Sequence, residues 1–397
     1  MSSILSSRAI RHQRLLLSNC RGLLPRTHHQ HLRPLSTTPE VPPSSSSSRR
    51  TAWVASLCLG ALGTGALAYA GYDAYIDWRD LFPAEVRGDL KRGIGAKNKG
   101  DLEGSAYYKR KAWNTAVALP IAEFKAEPYL RLTGIAADLA GELEEQGKTE
   151  EAFALYSEAF NLIRSSAPEL LSGPERLRAV SLAVKLGQLA ESNALHAEEE
   201  ERILVWAVEE ILKLLADNNR GATDAELLDF SKLKLPSWMT KTDISVPLQE
   251  LGDFYGRVGK LEYALPLYLQ GITLLVHSER PSSLEEGCQG AQLMNNIAEL
   301  VIRHPTDERQ KYADGWAQTA LTLLQANRKS AKEPISTCEH ALSVALFNAG
   351  MLREMAGDQQ RARAFFEAAA NQSESCGLDE GVAVANEAIT RLDTPQT

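Results

Sequence analysis

No paired-cysteine motif occurs in this 397-residue chain: Cys20, Cys58, Cys288, Cys338 and Cys376 are odd in number, widely spaced and without a C-x-x-C. Such a set suggests neither a zinc site nor a disulfide framework, so small buried residues are expected. H-E-x-x-H and G-x-S-x-G are absent, and His196, His277, His304 and His340 are dispersed as surface or capping histidines. The stretch from Gly141 to Gly147-Lys148-Thr149 departs from a phosphate-binding loop, because five residues separate its glycines where four are needed and a helical pattern precedes it. It reads as an inter-helix turn. No enzyme signature remains, and neither cofactor nor metal is expected. Basic excess is lacking as well: 43 Lys and Arg face 51 Asp and Glu, a balance of −8 that argues against nucleic-acid binding. Acid clusters such as Glu144/Glu145 and the run 198–201 read as solvated helix faces.

Lysine is missing from the first fifty residues, where eight arginines (Arg8, Arg11, Arg14, Arg21, Arg26, Arg33, Arg49, Arg50) accompany many serines and one acid, Glu40. That bias is the composition of a mitochondrial presequence, expected over 1–35. Arg33-Pro34-Leu35-Ser36 resembles a cleavage site with arginine three residues before the cut, between Leu35 and Ser36. Cleavage would leave 37 basic and 51 acidic residues, a balance of −14. Residues 36–50, rich in Pro and Ser, read as a disordered linker. Charge of either sign then vanishes: 51–72 is long enough for a helix to cross a hydrocarbon core, with Trp53, Tyr69, Tyr72, Tyr75 and Trp78 at its edges. Arg49 and Arg50 precede it, and the juxtamembrane segment 73–82 carries Asp73, Asp77 and Asp80. The positive-inside bias puts the N-terminus in the matrix and all that follows in the intermembrane space. A single-pass anchor in the mitochondrial inner membrane is the expectation.

Beyond the anchor, apolar residues recur at helical spacing, as in Leu132, Ile135, Ala136, Leu139, Ala140 and Leu143, and strand alternation is lacking. Three windows align without gaps: Gly147, Ala152, Tyr156, Ala159; then Gly259, Ala264, Tyr268, Gly271; then Gly357, Ala362, Phe366, Ala369. Leu251-Gly252-Asp253-Phe254-Tyr255 stands upstream of the second, and Asn348-Ala349-Gly350 upstream of the third. These residues resemble the tetratricopeptide repeat, a pair of antiparallel helices patterned L-G-x-x-Y and then A-x-x-x-F. Small residues let the helices approach, the aromatic fills the gap, and the turn glycine accepts a left-handed conformation. Weaker copies begin at Gly100, where Lys109 falls at the aromatic position, at Leu186-Gly187, and at Met294-Asn295-Asn296. An all-α superhelix of about six hairpins follows, over 83–216 and 245–392. A non-repeating insertion, 217–244, holds an exposed Leu235-Pro236-Ser237-Trp238 turn; 378–392 reads as a capping helix and 393–397 as a tail.

The repeat phase places Gln188, Gln249, Asp253, Arg257, Gln292, Asn295, Glu299, Phe347 and Met351 on a concave groove of first helices. Its amides and apolar patch suit an extended or partly unfolded segment. The order of parts, with Leu81-Phe82-Pro83, Leu235-Pro236-Ser237-Trp238, Leu251-Gly252-Asp253-Phe254-Tyr255 and Met294-Asn295-Asn296, resembles the fungal tetratricopeptide adaptor subunit of the inner-membrane i-AAA protease supercomplex. That resemblance implies a non-enzymatic adaptor whose partners are an AAA protease complex and its unfolded clients. A tetratricopeptide assembly factor for respiratory complex III and an outer-membrane import receptor are the alternatives. Only the import receptor would lack a cleaved presequence. N-terminal sequencing of the mature protein is expected to begin at Ser36; retention of Met1 would favour the import receptor.

Overall fold

The computed structural model describes residues 81–219, 230, 232, 234–277, 282–303 and 306–393. The expected presequence, linker and anchor, the tail beyond 393 and residues 220–229, 231 and 233 of the insertion lie outside the described residues. Two compact units divide the rest, 81–135 and 136–393. Among the described residues there is no strand, and no helix is long and apolar enough to cross a membrane.

The first unit opens with a helical hairpin, α1 (Ala84–Lys97) and α2 (Leu102–Ala118). Gly100 turns the chain at φ +79°, and the Asp101 side chain caps α2 by accepting from the Gly104 N–H at 2.8 Å. Gly93 is where the two helices meet. A Cβ built there would lie 2.8 Å from Cγ of Lys109, whose stem is 1% exposed. Lys109 thus fills the aromatic's place with four methylenes. Beyond the hairpin, Phe124 is buried, and Arg131 Nη1 ties the segment by donating to the carbonyls of Leu81 at 3.3 Å and Phe124 at 3.1 Å.

The second unit is a run of hairpins: α3 (Pro128–Glu145, which enters from the first unit) with α4 (Thr149–Arg164), α5 (Gly173–Leu189) with α6 (Ala197–Asn218), and α7 (Lys241–Arg257) with α8 (Leu261–Val276). Then come α9 (Leu284–Ile302) with α10 (Asp307–Ser330), α11 (Ser336–Met355) with α12 (Gln359–Ser375), and a closing α13 (Asp379–Asp393). Gly147, Gly259, Gly357 and Gly377 take φ between +69° and +81°. At each, the following N–H reaches back five residues: Lys148 to Leu143 and Lys260 to Tyr255 at 2.9 Å, Asp358 to Arg353 at 3.0 Å, Leu378 to Ser373 at 2.9 Å. This satisfies carbonyls that the helix end would otherwise orphan. The lookalike of a phosphate loop is one of these turns. At their other ends, α5, α7 and α9 begin with reciprocal capping boxes, Ser172/Glu175, Thr240/Asp243 and Ser283/Glu286.

Within three hairpins of this unit a glycine on the first helix receives a large residue from the second. A Cβ at Gly252 would stand 2.7 Å from the Tyr268 ring, one at Gly350 2.6 Å from Phe366, and one at Gly187 2.6 Å from Leu204. Ala152, Ala159, Ala264, Ala362 and Ala369 are all buried beside them. Of the insertion, Phe230 and Met239 are buried, and Trp238 is 38% exposed because its indole lies on Gly173 at the start of α5.

The cysteines require a correction. Cys288 on α9 and Cys338 on α11, both buried, form a disulfide with Cα atoms 5.0 Å apart. Sequence spacing obscures the pair because the two lie 50 residues apart. Stacking sets their two first helices side by side, at the separation a disulfide requires. Cys376 is free and half-buried.

Gly252→Val should lower stability by about 1–3 kcal/mol through overpacking against Tyr268. In denaturant titrations, Tyr268→Ala in the same chain should cost less than it does alone; strict additivity of the two changes would contradict the close approach.

Candidate functional site

Helical spacing alone puts Gln292, Asn295 and Glu299 on one face of α9, Gln249, Asp253 and Arg257 on one side of α7, and Phe347 and Met351 together on α11. Their burial separates them into two sets. Gln188, Asp253, Arg257, Gln292, Glu299 and Met351 are half-buried. Gln249 is 8% exposed, Asn295 2% and Phe347 7%.

Much of this face is already committed to holding hairpins together. Gln188 Nε2 on α5 donates to Glu250 Oε1 on α7 at 3.1 Å. Asn296 Nδ2 on α9 donates to Asp253 Oδ1 on α7 at 3.2 Å, and the same oxygen accepts from Tyr268 Oη at 2.6 Å. The two bonds are one device repeated. Gln188 and Asp253 each follow the closely packed glycine, Gly187 or Gly252, by one residue. Glu250 and Asn296 each precede the small residue, Gly252 or Ala298, by two. Sequence reading did not single out Glu250, yet its offset from Gly252 was the available signal.

Arg257, the chief cation of this face, is held by the preceding hairpin: it pairs with Glu200, approaches Glu191 at 3.7 Å and stacks on Phe254 at 5.6 Å. Glu299 pairs with Arg303 at 3.0 Å. Phe347 packs its ring 5.3 Å from that of Phe366, and Met351 receives Arg391 Nη2 at its Sδ, 3.6 Å away. Two phenols nearby are fixed as donors. Burial and Glu201 push the Tyr255 hydroxyl up to about 12, and burial with Glu144, which accepts at 2.6 Å, drives Tyr156 beyond the usual phenol range.

Two buried amides in this set carry atoms without a partner: Gln249 Nε2 and Asn295 Oδ1 bond to nothing among the described residues. Each residue stands three before the small residue of its helix, Gly252 or Ala298, so they occupy the same repeat position on successive first helices. A buried amide atom left unbonded costs about 1–3 kcal/mol. The arrangement offers one donor and one acceptor, without an assembled acid, base or nucleophile. Elsewhere, a cavity of about 560 Å³ opens between the ends of α10 and α12 and the start of α11, where Arg328 is paired with Glu339 at 2.9 Å. Burial there lowers the His340 pKa. Among the described residues, no group of three or more His, Cys, Asp or Glu could hold a metal ion.

Asn296→Ala should cost about 1 kcal/mol of stability in urea titration, the net worth of one hydrogen bond. Asn296→Asp should cost more, since it sets a second carboxylate against Asp253; an unchanged midpoint in both would remove the inter-hairpin bond from the account.

No protein-family model matches the chain, and no curated protein is detectably similar to it in sequence. Similar solved structures include BtubC (BKLC) from P. vanneervenii, 18% identical over 70% of this chain and 92% of that one, with a TM-score of 0.48. A tetratricopeptide repeat protein from Parabacteroides merdae is 14% identical over 78% and 99% of the two chains, with a TM-score of 0.33. The S. pombe nuclear import adaptor Nro1 is 12% identical over 77% and 98%, with a TM-score of 0.40. The tetratricopeptide-type architecture itself is established by this chain's own turns, close approaches and stacked hairpins.

Proposed function

We propose that this chain is an adaptor: a membrane-anchored stack of tetratricopeptide-type hairpins that binds extended, unfolded segments of membrane or intermembrane-space proteins and passes them to a membrane-bound AAA protease. The observation that supports the binding half is the half-buried amide of Gln292 and thioether of Met351 on first helices, a polar and a soft apolar contact of the kind that suits an extended segment. Gln249 Nε2 and Asn295 Oδ1 on the same set of first-helix residues are buried and lack a partner among the described residues, so a bound segment would reach them only after local side-chain rearrangement.

Delivery to a protease rests on the order of presequence, anchor and repeats in the sequence. The Cys288–Cys338 disulfide supports an address outside the matrix and cytosol, since such bonds persist in oxidising compartments. The mature inner-membrane protein would then hold its hairpins in the intermembrane space.

Purification of the C-terminally tagged protein from gently solubilised mitochondria should recover a membrane-anchored AAA protease, identified by mass spectrometry. Gln292→Ala should retain the protease and weaken capture of a reduced, unfolded model protein about fivefold, the loss of one hydrogen bond. Recovery of respiratory-complex subunits without the protease would replace the adaptor with an assembly factor.

A further inference from the structure

Charge is segregated along this chain. Residues 81–135 carry ten Lys and Arg against six Asp and Glu, a balance of +4, whereas 136–397 carry 24 against 41, a balance of −17. Four cations stand on α1, and at 100° per residue Lys91 and Arg92 share one arc of about 100° with Gly88 and Gly95, whereas Arg87 and Lys97 fall outside it. Lys99 follows in the turn after the helix ends. Lys91, Arg92 and Lys99 are exposed. Asp89, 8% exposed, pairs at 3.3 Å with Arg92 at one edge of the arc and with Lys111 of α2; Glu85, in the first turn, lies at its margin.

The two glycines are the second observation. A Cβ at Gly88 or Gly95 would meet nothing within 4 Å, and neither residue has a positive φ. Each costs the helix about 1 kcal/mol relative to alanine, and no packing or turn among the described residues requires it. Glycines set between exposed cations leave that side of the helix flat, so a broad anionic surface can approach its backbone.

We propose that this side of α1 lies on an anionic lipid surface. Proximity favours a membrane as the occupant, an argument that rests on the anchor reading of 51–72. Eleven residues lie between 72 and Ala84, which opens α1, so the helix starts within about 40 Å of the end of the expected span. A lysine close to such a surface gains about fivefold in binding, and the gain falls away within a Debye length. The strongly acidic repeats would be repelled by the same surface.

The test uses the full chain reconstituted with phosphatidylcholine vesicles, with or without phosphatidylglycerol. Flotation with neutral vesicles reports the anchor alone. Acylation by a water-soluble amine reagent, read by mass spectrometry, should be severalfold slower at Lys91 and Lys99 in the anionic vesicles. High salt should restore the rate, and Lys311 on α10 should react alike in both compositions. Equal labelling of Lys91 and Lys99 in both, with the chain floating, would overturn the proposal. Should the chain fail to float with neutral vesicles, the anchor reading falls. Flotation with anionic vesicles that is salt-sensitive and lost in Lys91→Glu/Lys99→Glu would then support the surface contact, and its absence would overturn it.

Discussion

The close approach of two helices at a residue without a side chain is the constraint on which the array depends. Where Gly252 meets Tyr268 and Gly350 meets Phe366, the ring occupies the volume a Cβ would need. Aromatic burial of this kind is among the larger single contributions a side chain can make. It also sets the spacing of the pair. With that spacing fixed, the left-handed glycine turns deliver the second helix back along the first, and one hairpin presents its apolar flank to the next. Lys109 shows how far the rule bends: against Gly93 an aliphatic stem serves, provided its charged end is accommodated.

Between hairpins the selection is polar as well as apolar. Gln188–Glu250 and Asn296–Asp253 link successive first helices at matching positions, and Arg257 reaches from α7 to Glu200 on α6. Apolar surfaces alone would tolerate sliding by a turn. Hydrogen bonds between half-buried side chains do not, because a shifted register strands their donors and acceptors. The face that carries these links also carries the unspent atoms of Gln249 and Asn295, so satisfied and unsatisfied amides alternate among neighbouring residues.

Local rules made the hairpins legible. Gly147, Gly259 and Gly357 announced their turns, and the aromatics Tyr268 and Phe366 their partners Gly252 and Gly350, because each pair lies within one hairpin. Features joining distant segments were harder to read. The Cys288–Cys338 bond and the Asn296–Asp253 bond depend on how one hairpin sits against the next, and sequence separations of 50 and 43 residues carry no mark of that. The groove assignment fell between these cases. Phase correctly groups Gln292, Asn295 and Glu299 on one helix face, but whether a residue on that face is accessible depends on the neighbouring hairpin: Gln292 is half-buried and Asn295 is 2% exposed.

The covalent tie between α9 and α11 has a mechanical consequence. Pulled from its ends, the chain could not pay out the residues between Cys288 and Cys338, so tension would pass straight from one helix to the other. The shielded segment amounts to about 170 Å of extended chain. Under such tension α10 would be spared while the helices on either side of it bear the load.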